Sequence, residues 1–153
     1  MSAQEMLTVM PREMRMMSER IISLTALPKG FAMMVSDMVM YSQAMGLGGF
    51  ALLEERLDAI KEADVTRLSF SGEGQRLDGG GQHAWFVVPS LVDLLGLAVA
   101  QEGEARIDLT HVIDPIELRI AEGLARRSGL EVRVQGMTAT ARAAACRRSR
   151  PTG

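Results

Sequence analysis

Apolar residues recur at intervals of three and four through the first sixty positions, which is the period of amphipathic helices. Pro11 suits the first turn of a helix, since its missing N–H would have no partner there, and the apolar pattern continues to about Leu24. A second helix is predicted from Pro28 to Gly46, and a third after Gly48–Gly49. The N-terminal part of the chain is therefore expected to be helical.

The next segment is expected to form a β-hairpin. Leu68 and Phe70 alternate with polar neighbours, as in a strand with one buried face. Trp85–Val88 is a compact run of β-forming residues that Pro89 should stop. The glycine-rich segment Gly72–Gly81 would then be the loop of the hairpin. Its acidic residues and the strand predicted after it argue against a phosphate-binding loop.

Helices and strands alternate in the rest of the pattern. Ser90 followed by Asp93 predicts the N-terminus of a helix. Ala105–Val112 alternates apolar with polar residues and predicts a strand. Asp114–Glu117 combines an N-cap, a proline at the first helical position and a carboxylate, which predicts another helix. Leu130–Gln135 alternates again and predicts a last strand.

These elements predict an α+β fold in which N-terminal helices pack with a four-stranded mixed sheet containing a β-α-β-α-β run. Strands joined by crossover helices should be parallel, which gives the order 1-2-3-4 with the first strand antiparallel. Because the strands are half polar, we expect both crossover helices on one face of the sheet. Residues 1–137 are expected to form a single α/β domain. Residues 138–153 lack a periodic apolar pattern and are expected to form a disordered, Ala/Arg-rich tail.

Length and composition favour a small globular protein. The chain has 153 residues, of which 47% are hydrophobic and 24% charged, and its longest apolar runs are interrupted by charges. We therefore expect no membrane partner. The N-terminus lacks the features of a secretory signal, and Cys146 is the single cysteine, so we expect a cytoplasmic protein without disulfides.

Charge and ligand chemistry limit the partners further. The formal net charge is −2, and four arginines follow residue 137, so the body of the chain is acidic and we expect no nucleic-acid binding. One cysteine and two histidines do not supply a metal-ligand set, and no cofactor motif accompanies them. We therefore predict neither a metal nor a cofactor.

The two histidines are the candidates for catalysis. His111 follows a strand of the parallel run, where α/β proteins often place ligands, and Asp114 lies three residues further on. His111 and Asp114, or His83 with a nearby carboxylate, could form an acid–base pair. A role as the cap of the following helix already explains Asp114 without any catalysis.

Methionine is concentrated in the N-terminal helices, since eleven of the twelve methionines lie in the first 45 residues. Methionine repacks easily and can form an adaptable contact surface, although filling a core is the alternative use. The residues predicted to form an interface are Met6, Met10, Met14, Met17 and Ile21.

Two short motifs resemble a known family. Leu27–Ala32, the aromatic Tyr41 and the turn Gly46–Leu53 resemble the N-terminal helical region of a bacterial family of unknown function. The resemblance covers about thirty residues and implies helix packing, without any catalytic residue to carry over.

Two functions remain open from the sequence. The leading hypothesis is a non-catalytic accessory or binding protein, with a possible protein partner, that forms homodimers or other homo-oligomers through its apolar helices. The alternative is a small-molecule enzyme that uses His111 or His83 with nearby carboxylates.

Overall fold

The computed structural model describes residues 10–23 and 27–145 of the chain. The chain divides into two compact units, Met1–Glu62 and Ala63–Gly153. The elements described in the first unit are all helices, and the second unit combines helices with a sheet. The expectation that residues 1–137 form a single domain stays a prediction.

The helices predicted for the first unit are present. They are α1 (Pro11–Ser23), α2 (Lys29–Ala44), α3 (Gly49–Glu55) and α4 (Leu57–Lys61). The predicted helix start at Pro11 is confirmed, and α2 begins one residue after the predicted start, with Pro28 as its N-cap. The predicted end of α1 at Leu24 lies outside the described residues. The third predicted helix is interrupted at Arg56 and forms α3 and α4.

Helices α1 and α2 pack against each other, and α3 packs against α2. Ile22 of α1 and Val39 of α2 are fully buried. Arg15 and Asp37 form an ion pair that links the exposed sides of α1 and α2. At Gly49, an added Cβ would lie 2.5 Å from the carbonyl oxygen of Val39, so only glycine allows α3 to come this close to α2.

The second unit begins with a short 3-10 helix (Val65–Arg67) and continues with alternating strands and helices. Its strands are β1 (Ser69–Ser71), β2 (Arg76–His83), β3 (Glu104–Ile113), β4 (Leu130–Gln135) and β5 (Thr138–Ala143). Its helices are α5 (Ala84–Glu102), a second 3-10 helix (Pro115–Arg119) and α6 (Ile120–Arg126).

The strands form one mixed sheet in the order β1-β2-β3-β5-β4. β2 and β3 are parallel, and the other neighbouring pairs are antiparallel. Since β3 and β4 are both antiparallel to β5, the strands β2, β3 and β4 run in the same direction, as the β-α-β-α-β prediction requires. The α+β fold class is confirmed, with five strands in place of the four predicted.

The prediction of a disordered tail from residue 138 is wrong for Thr138–Ala143, which form β5 between β3 and β4. Ala139 and Ala141 face the core and are almost fully buried, while Thr140 and Arg142 face solvent. The alternation is that of a strand, but its apolar members are alanines, and these give a weak hydrophobic signal in a sequence. Residues 146–153 lie outside the described residues.

The predicted strand Trp85–Val88 is also wrong, because these residues form the first turn of α5. Pro89 lies inside this helix, where it costs one backbone hydrogen bond without ending the helix. The predicted helix start at Ser90 and Asp93 therefore falls in the middle of α5. Burial explains the difference: Ala84–Val88 are all nearly inaccessible to solvent, so packing overrides the β preference of the individual residues.

Helix α5 is also the one helix within the described residues that is long and apolar enough to cross a membrane. Half of its apolar window is buried inside the fold, as in the central helix of a protein core. The helix is therefore weak evidence for membrane insertion.

One face of the sheet carries both crossover helices. α5 contacts β2, β3 and β5, α6 contacts β4, and the two helices contact each other. The strand side chains on this face are buried, among them Ile107, Leu109 and Val132. On the opposite face, alternate residues such as Arg106 and Arg133 are exposed. The half-polar strands thus reflect a sheet with one covered face.

The position of β5 predicts how truncations behave. A chain that ends at Met137 should lose cooperative unfolding, because β3 and β4 would lose the strand that joins them and the side chains beneath would meet water. A chain that ends at Ala145 is the matched control and should keep the unfolding temperature of the full chain. Thermal unfolding followed by circular dichroism distinguishes the two. Equal stability of both truncated chains would contradict the placement of β5.

Candidate functional site

The candidate site lies where the two parallel strands end. β2 ends at His83 and β3 ends at Ile113, which are register partners, and Asp114 follows immediately. Since parallel strands end at the same edge of the sheet, side chains distant in sequence meet there. In open α/β sheets, this carboxyl edge is where ligands commonly bind.

A glycine bulge in β2 shapes this edge. Asp78 pairs with Thr110 and Gln82 with Val112, so Gly79–Gly81 occupy the space opposite the single residue His111. The predicted hairpin loop is therefore wrong at residues 76–81, which belong to β2.

Steric contacts explain why these residues are glycines. An added Cβ at Gly80, where φ is +57°, would lie 2.3 Å from the carbonyl oxygen of Arg67. At Gly79 it would lie 2.7 Å from Cγ2 of Val112. A side chain at either position would separate β2 from its neighbours.

His83 is held at the end of β2 by both of its ring nitrogens. Nδ1 accepts a hydrogen bond from the backbone N–H of Trp85 at 3.2 Å, so His83 serves as the N-cap of α5. Because Nδ1 is the acceptor, the proton of the neutral ring lies on Nε2, which donates to Oδ2 of Asp114 at 2.9 Å. The His83 side chain is 0% exposed, and the Trp85 ring packs at a centroid distance of 4.5 Å.

Asp114 does not cap the helix that follows it, so that prediction is wrong. Its φ of 53° and ψ of 61° place it in the left-handed region, and its side chain makes no cap hydrogen bond. The carboxylate is directed to His83 instead. An αL conformation cannot be recognised from the Asp-Pro sequence, which also occurs at ordinary helix starts.

His111 pairs with a different carboxylate, that of Asp78. Its Nδ1 lies 3.3 Å from Oδ1 of Asp78, and the two side chains are 73% and 44% exposed. The backbone N–H of Gly80 also donates to Asp78 at 2.8 Å. That hydrogen bond is the main cause that lowers the pKa of Asp78, and the charge of His111 lowers it further. This pair is open to water.

The structure therefore forms two His–Asp pairs, neither of which is the predicted pair of His111 with Asp114. In each pair, one residue comes from β2 and the other comes from β3 or the residue directly after it. Asp78 was missed by the sequence analysis, because its partner is fixed by a strand register that passes through the glycine bulge. No group of three His, Cys, Asp or Glu suited to a metal ion occurs in the described part of the chain.

The two histidines differ in what they can do chemically. Both nitrogens of His83 are engaged and its ring is buried, so it cannot reach a ligand without local opening. His111 is accessible and has a carboxylate beside it, which is the arrangement of a general acid–base pair. A catalytic role for His111, His83 or Asp114 stays a prediction.

The residues predicted to form an interface are exposed to different extents. Met10 is 65% exposed and Met17 is 52% exposed, while Met14 and Ile21 are half-buried. Met6 lies outside the described residues. Met16 and Met33 are also exposed, at 45% and 53%, and were not predicted.

Comparisons with known proteins give the fold and little else. No family model and no curated protein matches the chain. Among solved structures, malate dehydrogenase from Pyrococcus horikoshii OT3 is similar, with a TM-score of 0.61 and 15% sequence identity. The match covers 81% of this chain and 38% of that one, so this chain spans well under half the length of the dehydrogenase. At this identity the likeness shows the fold alone.

The pairing of Asp114 with His83 can be tested by Asp114→Gly. Glycine adopts the αL conformation without strain, so this substitution removes the carboxylate and keeps the backbone. Loss of the His83 hydrogen bond should cost about 1–3 kcal/mol of unfolding free energy, since it removes a hydrogen-bond acceptor from a buried imidazole. Replacing a helix N-cap by glycine costs only a few tenths of a kcal/mol. Urea unfolding measures the difference, and a loss within that smaller range would favour the cap.

The bulge predicts that Gly80→Ala is much more damaging than Gly81→Ala. Both residues have positive φ, so each substitution should cost about 1–2 kcal/mol for the backbone conformation. Gly81 has open space beside it, whereas Gly80 abuts the Arg67 backbone and should lose a further ~1–3 kcal/mol through overpacking. Equal losses in chemical denaturation would show that the contact with Arg67 is not tight.

Proposed function

We propose that the protein is a non-catalytic accessory or binding protein that self-associates through the apolar side of α1. The observation that carries this proposal is that four methionines of the first unit are exposed, three of them in or next to α1 and one in α2. We use the name methionine cluster for these exposed residues, Met10, Met16, Met17 and Met33.

The exposed side chains of this cluster are apolar, whereas the solvent-facing side of a helix is usually polar or charged. Seven large apolar side chains are exposed among the described residues, and four of them are these methionines. The unbranched, polarisable thioether adapts to an irregular partner surface, which suits methionine to contacts between proteins. A second copy of the chain is the simplest partner, because a two-fold contact covers the same residues on both copies.

The polar chemistry of the second unit is consistent with a protein that binds without catalysis. Its buried histidine, His83, is fully engaged in joining β2, α5 and Asp114. A pair that stabilises the end of a parallel sheet accounts for the burial of this imidazole without any reaction.

The oligomeric state tests the proposal. The full chain should sediment at a multiple of 16.6 kDa, and the double variant Met10→Glu/Met17→Glu should have a lower mass, because two buried carboxylates would oppose association. Leu97→Glu is the matched control, since Leu97 is 57% exposed on α5 of the other unit. It should leave the mass unchanged.

Two results of sedimentation equilibrium would count against the proposal. One is a full chain with the mass of a single copy. The other is a methionine variant that keeps the mass of the full chain while its circular dichroism spectrum is unchanged.

A second candidate function is a small-molecule enzyme, and the His111–Asp78 pair favours it. The pair is accessible and lies toward the carboxyl edge of the parallel strands. The fold is also similar to that of a dehydrogenase, although so distant a likeness does not transfer an activity. A small molecule whose titration shifts the NMR signals of His111 and Asp78 would favour this candidate over the first.

A further inference from the structure

The outer edge of β4 is a second surface at which the chain could contact a partner. Among the strands of residues 10–23 and 27–145, β4 is the last at its end of the sheet, and its partner β5 lies on one side of it. In an antiparallel pair, successive residues direct their backbone N–H and C=O groups alternately toward and away from the neighbouring strand. Half of the backbone groups of β4 therefore face outward.

Two hydrogen bonds show which residues face outward. The carbonyl of Gly129 accepts from the N–H of Ala144, so the odd-numbered residues face the β5 side. The N–H of Val134 donates to Oε1 of Glu122 at 3.0 Å, so the even-numbered residues face the outer edge. Leu130 and Val132 therefore direct their backbone groups away from the sheet.

A groove follows this edge and leaves room for another strand. It has a volume of about 590 Å³ and is lined by β4 together with Glu122 and Arg126 of α6. Glu122 accepts the hydrogen bond of one of the three outward N–H groups. Charged side chains of this kind commonly shield the edge strands of sheets. The backbone groups of Leu130 and Val132 line the remainder of the groove.

The sequence of β4 is complementary to itself when reversed. Val132 lies at the centre of the segment Leu130–Val134. At one residue from this centre, acidic Glu131 corresponds to basic Arg133. At two residues from it, apolar Leu130 corresponds to apolar Val134. An antiparallel partner centred at Val132 would place Glu131 opposite the Arg133 of the other copy, twice. These would be non-hydrogen-bonded pairs, in which opposing side chains lie closest.

We propose that a second copy of this chain pairs with the outer edge of β4, antiparallel and centred on Val132. The two Val132 residues exchange two backbone hydrogen bonds at the centre. Leu130 of each copy pairs with Val134 of the other once Glu122 releases its N–H. The two sheets then continue into one another across the two-fold axis.

Charge at this edge favours a second copy over an unrelated strand. Glu131 already accepts two hydrogen bonds from Arg142 of its own chain, each at 3.1 Å, and these lower the pKa of its carboxyl. The exposed Arg133 of a second copy would lie on the other side of this carboxylate. This contact uses the second unit and does not depend on the methionine cluster.

The test uses charge reversal on each side of the pair, in the Met10→Glu/Met17→Glu background that removes the other proposed contact. The parent, which carries only the two methionine substitutions, should form a dimer in sedimentation equilibrium. Arg133→Glu places two acids opposite each other, and Glu131→Arg places two bases opposite each other. Each should weaken dimerisation at least about tenfold.

Mixing the two variants is the decisive step. The Arg133→Glu copy carries an acid at both positions and the Glu131→Arg copy carries a base at both, so a mixed pair places acid opposite base twice. An equimolar mixture should therefore dimerise more tightly than either variant does alone. Arg106→Glu is the matched control, because Arg106 lies on the same exposed sheet face but on β3. It should dimerise like the parent.

Hydrogen exchange gives a readout of the backbone contact itself. The amide of Val132 should exchange slowly in the parent dimer and quickly in the Arg133→Glu variant, while β5, which is paired on both sides, stays protected in both. Three results would overturn the proposal: a parent that remains monomeric, single variants that dimerise as tightly as the parent, or a mixture that remains monomeric. Failure of the methionine contact alone would leave these results unchanged, so the two proposals are tested separately.

Discussion

The parallel pairing of β2 with β3 is the contact on which the chemistry of the second unit depends. Because the two strands run in the same direction and end together, His83 meets a carboxylate 31 residues away in sequence. The pairing is possible only because the backbone of the bulge can approach its neighbours without a Cβ at Gly79 and Gly80. Backbone sterics at two glycines therefore decide whether a buried imidazole has its partner.

The sequence predicted the elements whose ends are set by local chemistry. Pro11 and Gly46 mark helix ends through the missing N–H and the positive φ, and neither depends on distant contacts. β2 and α5 could not be predicted in this way. Glycines carry no hydrophobic pattern, and what holds Gly79–Gly81 in a strand is the shape of the neighbouring chain. Trp85–Val88 favours a strand locally and becomes helical through burial, with a histidine as its cap.

The sequence predicted most residues of the candidate site but not which of them form pairs. The sequence indicated both histidines and Asp114, but it paired Asp114 with His111, which is close in sequence. The actual partners depend on strand register and on the left-handed backbone of Asp114. These are properties of the folded sheet, and they cannot be inferred from the order of residues along the chain. The exposure of the methionines likewise depends on which side of α1 is covered by α2.

The place of β5 in the sheet also bears on synthesis of the protein in the cell. The strand that lies between β3 and β4 is the last of the five to leave the ribosome, so both neighbours emerge before the strand that joins them. Until then each has an unpaired edge on the side that β5 will occupy, and apolar residues beneath it are only partly covered. Folding of this sheet must therefore wait for translation of its final strand, and the nascent chain passes through an interval in which a chaperone would protect it from edge-to-edge aggregation.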